Sequence, residues 1–228
     1  LKAAVNTYFE RYYGYSVAAN EVTFATGAKF SLYTFFMAVI NPGDEVILPT
    51  PYWVSYSDIT KIAGGVPVDI PTSLKTHFKI TPQQLEEAIT PRTKMMWLSS
   101  PGNPSGVIYT REELEALAQV LRKYPNIFIL SDEIYEHINY MGQHVSFAQI
   151  EGMYERTITV NGLSKAFAMP GWRMGYMGAP EWIVKACAKI QGQITSGANT
   201  IAQRASITAL KACLLYTSPS PRDRTRSR

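Results

Sequence analysis

An excess of charge of one sign is what the body of this chain lacks. Its 228 residues hold 22 Lys and Arg against 18 Asp and Glu, a formal +4, and the run from Tyr216 to Arg228 supplies +3 of it with four arginines and one aspartate. With a net charge of only +1 left in residues 1–215, no basic-patch argument for nucleic acid as a partner survives for the body. Cysteine is scarce: Cys187 and Cys213 sit in helix-like segments without metal or redox spacing, as reduced core thiols of a cytoplasmic protein would. Long apolar runs are missing too. The longest, around Phe30 to Ile40, is too short and interrupted to span a bilayer, so no membrane partner is expected. No signal peptide, internal repeat or low-complexity linker is visible. The chain opens LKAAVNTYF, without Met and already in a helical pattern, and so reads as cut at both ends. Residues 214–228 read as a non-native tail, a disordered basic tail being the alternative.

What is present is an alternation of strand and helix patterns in a length sufficient for a sizeable core. Leu1, Val5, Tyr8, Phe9 and Tyr12 recur at helical spacing up to Gly14. Strand-like runs follow at EVTFAT, EVILP, VPVDIP, KMMWLSS, NIFILSD and RTITVNG. Between and after them, AKFSLYTFFMAVI and EWIVKACAKIQGQI read as helices. PYWVSYSDITKIAGG reads as a helix with Pro51 in its first turn. Thr81 and Thr110 each open a capping-box start. The pattern predicts an α/β fold, a mostly parallel sheet with helices on both faces.

In open α/β sheets ligands bind beyond the carboxyl ends of the strands, and four such ends carry polar groups here. VTFAT delivers Gly27, Ala28 and Lys29 at a helix start. MMWLSS delivers the PGNPSG loop with Asn103. NIFIL delivers Asp132, with Tyr135 just after. TITV delivers Lys165 within NGLSKAFAMPGWRMGY, where small and apolar residues isolate the amine and Arg173 follows. Taken singly, these residues have plainer readings as caps, turns, core aromatics or a surface lysine. Together they describe one ligand. A Gly-led helix start and a guanidinium hold a phosphate. A desolvated lysine attacks a carbonyl carbon. A carboxylate at a buried strand end needs a cationic partner, which a protonated pyridine nitrogen supplies. Phosphate, aldehyde and pyridine together make pyridoxal 5′-phosphate.

The same residues carry a family resemblance. Gly162 to Gly175, GLSKAFAMPGWRMG, resembles the lysine-attachment signature of the class I aminotransferases of pyridoxal-phosphate fold type I. SPGNPSG, SDEIYEH and PYWVSY resemble further blocks of that family, nearest the bacterial aspartate aminotransferases. The resemblance implies that residues 1–213 form the three-layer α/β/α large domain that binds the cofactor. It implies Lys165 as the catalytic lysine, which forms a Schiff base with the cofactor and shuttles a proton. It gives Asp132 to the pyridine nitrogen, and Tyr135 with Asn103 to the ring oxygen. It stacks Trp53 on the ring, with Trp53 and Asn103 also facing substrate. It places Arg173, Gly27 and the amides of Ala28 and Lys29 around the phosphate. One position departs from many relatives: Gly162 stands where they carry Ser or Thr, so the phosphate loses a donor unless Ser164 compensates.

The resemblance further implies a small C-terminal domain beyond Cys213, an N-terminal segment before Leu1, and a homodimer when full length. Its activity would be ping-pong transfer of an amino group between an L-amino acid, aspartate first, and a 2-oxo acid such as 2-oxoglutarate. Aromatic, prephenate or kynurenine aminotransferases are the alternatives within the class, and β-lyases or cyclopropane-forming synthases share the fold. A ligand-sensing domain of a transcription regulator is the alternative outside enzymes.

Overall fold

The strand β4, Thr93–Ser99, sets the architecture, because its side chains are buried on both faces: Met95 and Trp97 on one, Met96 and Leu98 on the other. Such a strand needs helices above and below it. The computed structural model describes residues 1–212; Cys213 and residues 214–228 lie outside the described residues.

The strands β1 (Val22–Thr26), β2 (Glu45–Pro49), β3 (Val66–Ile70), β5 (Phe128–Asp132), β6 (Thr157–Gly162) and β7 (Met174–Gly178) join β4 in a seven-stranded sheet of order β1-β7-β6-β5-β4-β2-β3. From β3 to β6 all neighbours are parallel. Strand β7 runs antiparallel to β6, and β1 antiparallel to β7, so β1 points the same way as the parallel set. The helices α2 (Ala28–Val39), α3 (Ser55–Ile62) and α6 (Glu181–Ile194) cover one face. The other is covered by α4 (Pro82–Ala88) and α5 (Arg111–Arg122) toward β4, and by α1 (Lys2–Tyr13) and α7 (Thr200–Lys211) toward β7. The predicted three layers and mostly parallel sheet are therefore present.

Both capping boxes form. Thr81 Oγ1 accepts from the Gln84 amide at 3.2 Å while Gln84 Oε1 accepts from the Thr81 amide at 3.0 Å, and Thr110 and Glu113 repeat the exchange. Two expectations need correction. Helix α3 begins at Ser55, not in the turn of Pro51: Tyr52 is tied to Asp69 at 2.8 Å and the Tyr56 amide closes back on the Trp53 carbonyl. Strand β7 and helix α7 were not read from the sequence at all. In β7, MGYMG, two glycines and no β-branched residue hide a strand that pairing on both edges creates.

Candidate active site

The topology brings the carboxyl ends of β1, β4, β5 and β6 to one edge of the sheet, and β7, running the other way, begins there. A cavity of about 350 Å³ lies at this edge, large enough for a small cofactor. Ala28, Lys29, Trp53 and Asn103 line it, as do Asp132, Tyr135, Ser164, Lys165 and Arg173. Of the residues singled out from the sequence, only Gly27 is absent from the lining, and it serves the site from behind. It caps α2 with φ 84°, and a Cβ built on it would meet Arg173 Nη2 at 2.3 Å. The missing side chain is thus the space in which the guanidinium lies. Gly175 has a matching role. A Cβ there would meet the Ala28 amide nitrogen at 2.2 Å, so β7 packs directly on the start of α2.

Arg173 reaches this place through a tight turn. After β6 the chain turns through Lys165 to Phe167, passes Ala168 at φ 49° and a short 3₁₀ turn at Pro170–Trp172, and leaves Arg173 at φ 50° just before β7. The guanidinium donates to the Pro170 carbonyl at 3.2 Å. The amides of Phe30 and Ser31 close on the Gly27 carbonyl, leaving those of Ala28 and Lys29 as first-turn donors beside it. A guanidinium next to a helix N-terminus of twelve residues makes an anion cradle.

Asp132 forms the floor. It is 4% exposed, accepts from Tyr56 Oη at 2.8 Å and from the Ile134 amide at 3.2 Å, and has no cationic partner among the described residues. Burial pushes its carboxyl up to about 6, against the lowering effect of those two hydrogen bonds. Tyr56 was not anticipated. It stacks on Trp97 with ring centroids 3.8 Å apart, and burial raises its phenol well above the usual range, so it remains a neutral donor. The signal available in the sequence was its spacing from Trp53, one helical turn earlier; Leu32, Ile134 and Pro170 also line the cavity.

The walls carry the other groups. Asn103 Nδ2 lies 3.4 Å from Tyr135 Oη, so the strand-end loops of β4 and β5 do meet. Lys165 Nζ stands 5.3 Å from the centre of the Tyr135 ring, and Lys29 Nζ 4.3 Å from that of Trp53. Lys165 is exposed, which corrects the expectation that its own surroundings desolvate it. It lies on a turn at the cavity rim, where small neighbours leave it open. The doubt at Gly162 is also relocated. A Cβ there would meet the Met174 carbonyl oxygen at 2.9 Å, so that position faces β7, whereas Ser164 lines the cavity. Lys29, Lys165 and Arg173 thus face a cavity whose one acidic lining residue is Asp132, and none of the three is paired with a carboxylate among the described residues. Phosphate for the cradle, an electrophilic carbonyl for the amine and a protonated ring nitrogen for Asp132 all fit this donor set. Among the described residues a metal-ligand geometry occurs only behind the site, where ligating atoms of Glu133, Glu136 and His144 come within 4.8 Å of one another. No described helix is long and apolar enough to cross a membrane.

The aspartate/prephenate aminotransferase of Cereibacter sphaeroides is 49% identical over 212 residues, which cover 92% of this chain and 53% of that protein. An aspartate aminotransferase of Rhizobium meliloti is likewise 49% identical, over 92% of this chain and 52% of its own length. A crystal structure of the aspartate aminotransferase from Rhizobium meliloti matches with a TM-score of 0.93 at 46% identity, covering 99% of this chain and 56% of that one. The chain thus spans about half the length of the relatives it matches. The family profile described as aminotransferase class I and II matches residues 1–227. Strand order, cavity and sequence relationship agree: this chain belongs to the class I and II aminotransferases.

Proposed function

We propose that residues 1–213 are the pyridoxal 5′-phosphate-binding domain of a cytoplasmic, homodimeric aminotransferase. The enzyme moves the amino group of L-aspartate to 2-oxoglutarate in two half-reactions. The observation that carries this reading is Asp132: a carboxylate buried at the floor of a cavity, without a cation, opposite an anion cradle and an accessible amine. Bound there, the cofactor supplies a ring that draws electrons from the substrate's α-carbon. The chain's own residues do the rest. Asp132 holds a proton on the ring nitrogen, and Tyr56 keeps that carboxylate oriented. Arg173 with the amides of Ala28 and Lys29 binds the phosphate, while Tyr135 and Asn103 hold the ring oxygen and Trp53 covers a ring face. Lys165 Nζ would hold the aldehyde carbon and, once displaced by the substrate's amine, would take the proton from the substrate's α-carbon.

The names of the relatives support aspartate as donor. The Cereibacter sphaeroides relative carries prephenate in its name as well, which makes prephenate a second acceptor to assay. The named relatives are enzymes, not regulators.

Adding pyridoxal 5′-phosphate should produce a visible absorption band, and borohydride followed by peptide mapping should place the label on Lys165. A label elsewhere, or no band, overturns the reading. Because the chain spans about half its relatives' length, the 228-residue chain alone is expected to show no turnover; measurable glutamate formation by it would refute that part.

A further inference from the structure

The turn that carries Asp132 and Tyr135 has a second side. Its sequence, Ser131-Asp132-Glu133-Ile134-Tyr135-Glu136-His137, sends Asp132 and Tyr135 toward the cavity and Glu133 and Glu136 away from it, into buried surroundings. Glu133 is closed there. Its Oε1 accepts from Ser131 Oγ at 2.8 Å and Ser146 Oγ at 2.7 Å, and its Oε2 meets His144 Nε2 at 3.1 Å. These bonds engage both oxygens of Glu133.

Glu136 is engaged from a different quarter. Tyr8, on α1, is 1% exposed, and its hydroxyl donates to Glu136 Oε1. The same hydroxyl contacts His137 Nε2, and because its one proton goes to the carboxylate, it accepts from the imidazole N–H. His137 supports that assignment: burial lowers it to about 4, leaving it neutral. Around Glu136 also stand His144, Asn161 of β6 and Tyr176 of β7. Tyr12 and Phe167 complete the contact. The Tyr12 ring meets His137 at 4.8 Å, and Phe167 lies 6.3 Å from Tyr8 and 6.4 Å from His137, centroid to centroid. Phe167 is two residues from Lys165. Tyr8 of α1 therefore backs the turn that bears Tyr135 through its hydroxyl and lies beside the loop that bears Lys165 through its ring.

We propose that Tyr8 is a positioning residue for the cavity, acting through Glu136 and His137 to fix where Tyr135 and Lys165 stand. The inference rests on the cofactor reading above, and it concerns residues that never touch the cofactor. Its physical basis is that a buried hydrogen bond to a carboxylate, once lost, leaves an unpaired group that the turn must move to satisfy.

The test compares the 228-residue chain with its Tyr8→Phe, Glu136→Gln, Glu136→Ala and Tyr154→Phe variants. Tyr154→Phe removes a hydroxyl bound to Glu21 at 2.9 Å, well away from the turn, and is the control. Two readouts are taken: amide hydrogen exchange across residues 133–138 without cofactor, and the dissociation constant and pH midpoint of the pyridoxal 5′-phosphate absorption band. Tyr8→Phe and Glu136→Ala should speed exchange in the turn, weaken cofactor binding by about tenfold and shift the pH midpoint. Glu136→Gln keeps an acceptor for the Tyr8 hydroxyl and should rescue both readouts, while Tyr154→Phe should change neither. Unchanged exchange, or cofactor binding and midpoint in Tyr8→Phe equal to those of the control, overturns the proposal. If the parent chain binds no cofactor, the functional reading falls and takes this role with it; the exchange data then show separately whether the clamp itself exists.

Discussion

One turn, residues 131–137, has two faces that treat their carboxylates in opposite ways. Toward the crevice, Asp132 is buried with two neutral donors and no cation, while Lys29, Lys165 and Arg173 stand unpaired across the cavity. Behind the turn, Glu133 is bonded by two serines and a histidine, and Glu136 by a tyrosine. The contrast teaches where binding free energy is held ready. Glu133, bonded on both oxygens, has little left to offer a ligand, and Glu136 keeps only Oε2 without a partner among the described residues. Separated opposite charges at a water-accessible cavity, by contrast, gain when a ligand bridges them. The rear face is scaffold, and the front face is complementary to something that carries both charges.

The sharpest way to break this contrast is at the amine. Lys165→Ala should abolish the borohydride-fixed label and lower turnover of the full-length enzyme by at least about 10³-fold, read by steady-state assay. Next comes the floor. Asp132 has its folded value raised to about 6 from 3.8. A raised carboxyl contributes stability that is complete below its unfolded value and lost as pH climbs through the folded one. Relative to Asp132→Asn, the cofactor-free chain should therefore lose on the order of 3 kcal/mol between pH 4 and pH 8, measured by denaturant titration at each pH. Cofactor should cancel that loss in the parent only, because its ring cation pairs the carboxylate.

Gly27→Ala tests the cradle. Its φ of 84° and the 2.3 Å approach to Arg173 Nη2 leave no room for a methyl group. The variant should cost about 1–3 kcal/mol in stability and bind free phosphate and cofactor at least about tenfold more weakly. The smallest effect is expected on the rear face. Ser146→Ala removes one of two hydroxyls on Glu133 Oε1 and should cost about 1 kcal/mol in thermal unfolding, with cofactor affinity unchanged. A large loss of affinity in Ser146→Ala would show that Glu133 also positions the cavity, as proposed for Tyr8 and Glu136.

The front face was legible in the sequence because its logic is local. Strand patterns ending in Gly27, Asn103, Asp132 and Lys165 gain their meaning from one rule, that parallel strands present their carboxyl ends together. The capping boxes at Thr81 and Thr110 were legible for the same reason, since a side chain bonds a backbone three residues away. The rear face was not. Glu133, Glu136, His144 and Tyr8 look like ordinary polar residues until the fold brings helix α1 against the turn, across |i−j| = 128 between Tyr8 and Glu136. Tyr56, on α3, was hidden similarly, because its partner Asp132 lies far along the chain at the end of β5. Strand β7 escaped notice because its glycines are needed for packing on α2, which local propensity penalises. The exposure of Lys165 could not be read from its apolar neighbours, since the turn alone sets it on the rim.

The pairing of β1 with β7, Val22 opposite Gly178, has a kinetic meaning. Strand β1 is made well before β7, so the sheet edge that holds the anion cradle closes only after every crossover between them has been laid down. Such long-range pairing is slow because loop closure is paid before contacts form. A ribosome-bound chain can thus assemble the parallel core from β2 to β6 while Arg173 is still distant from Gly27. Capture of an anionic ligand by the cradle becomes a marker of the closing of this sheet edge, and a ligand present during synthesis acts on that step.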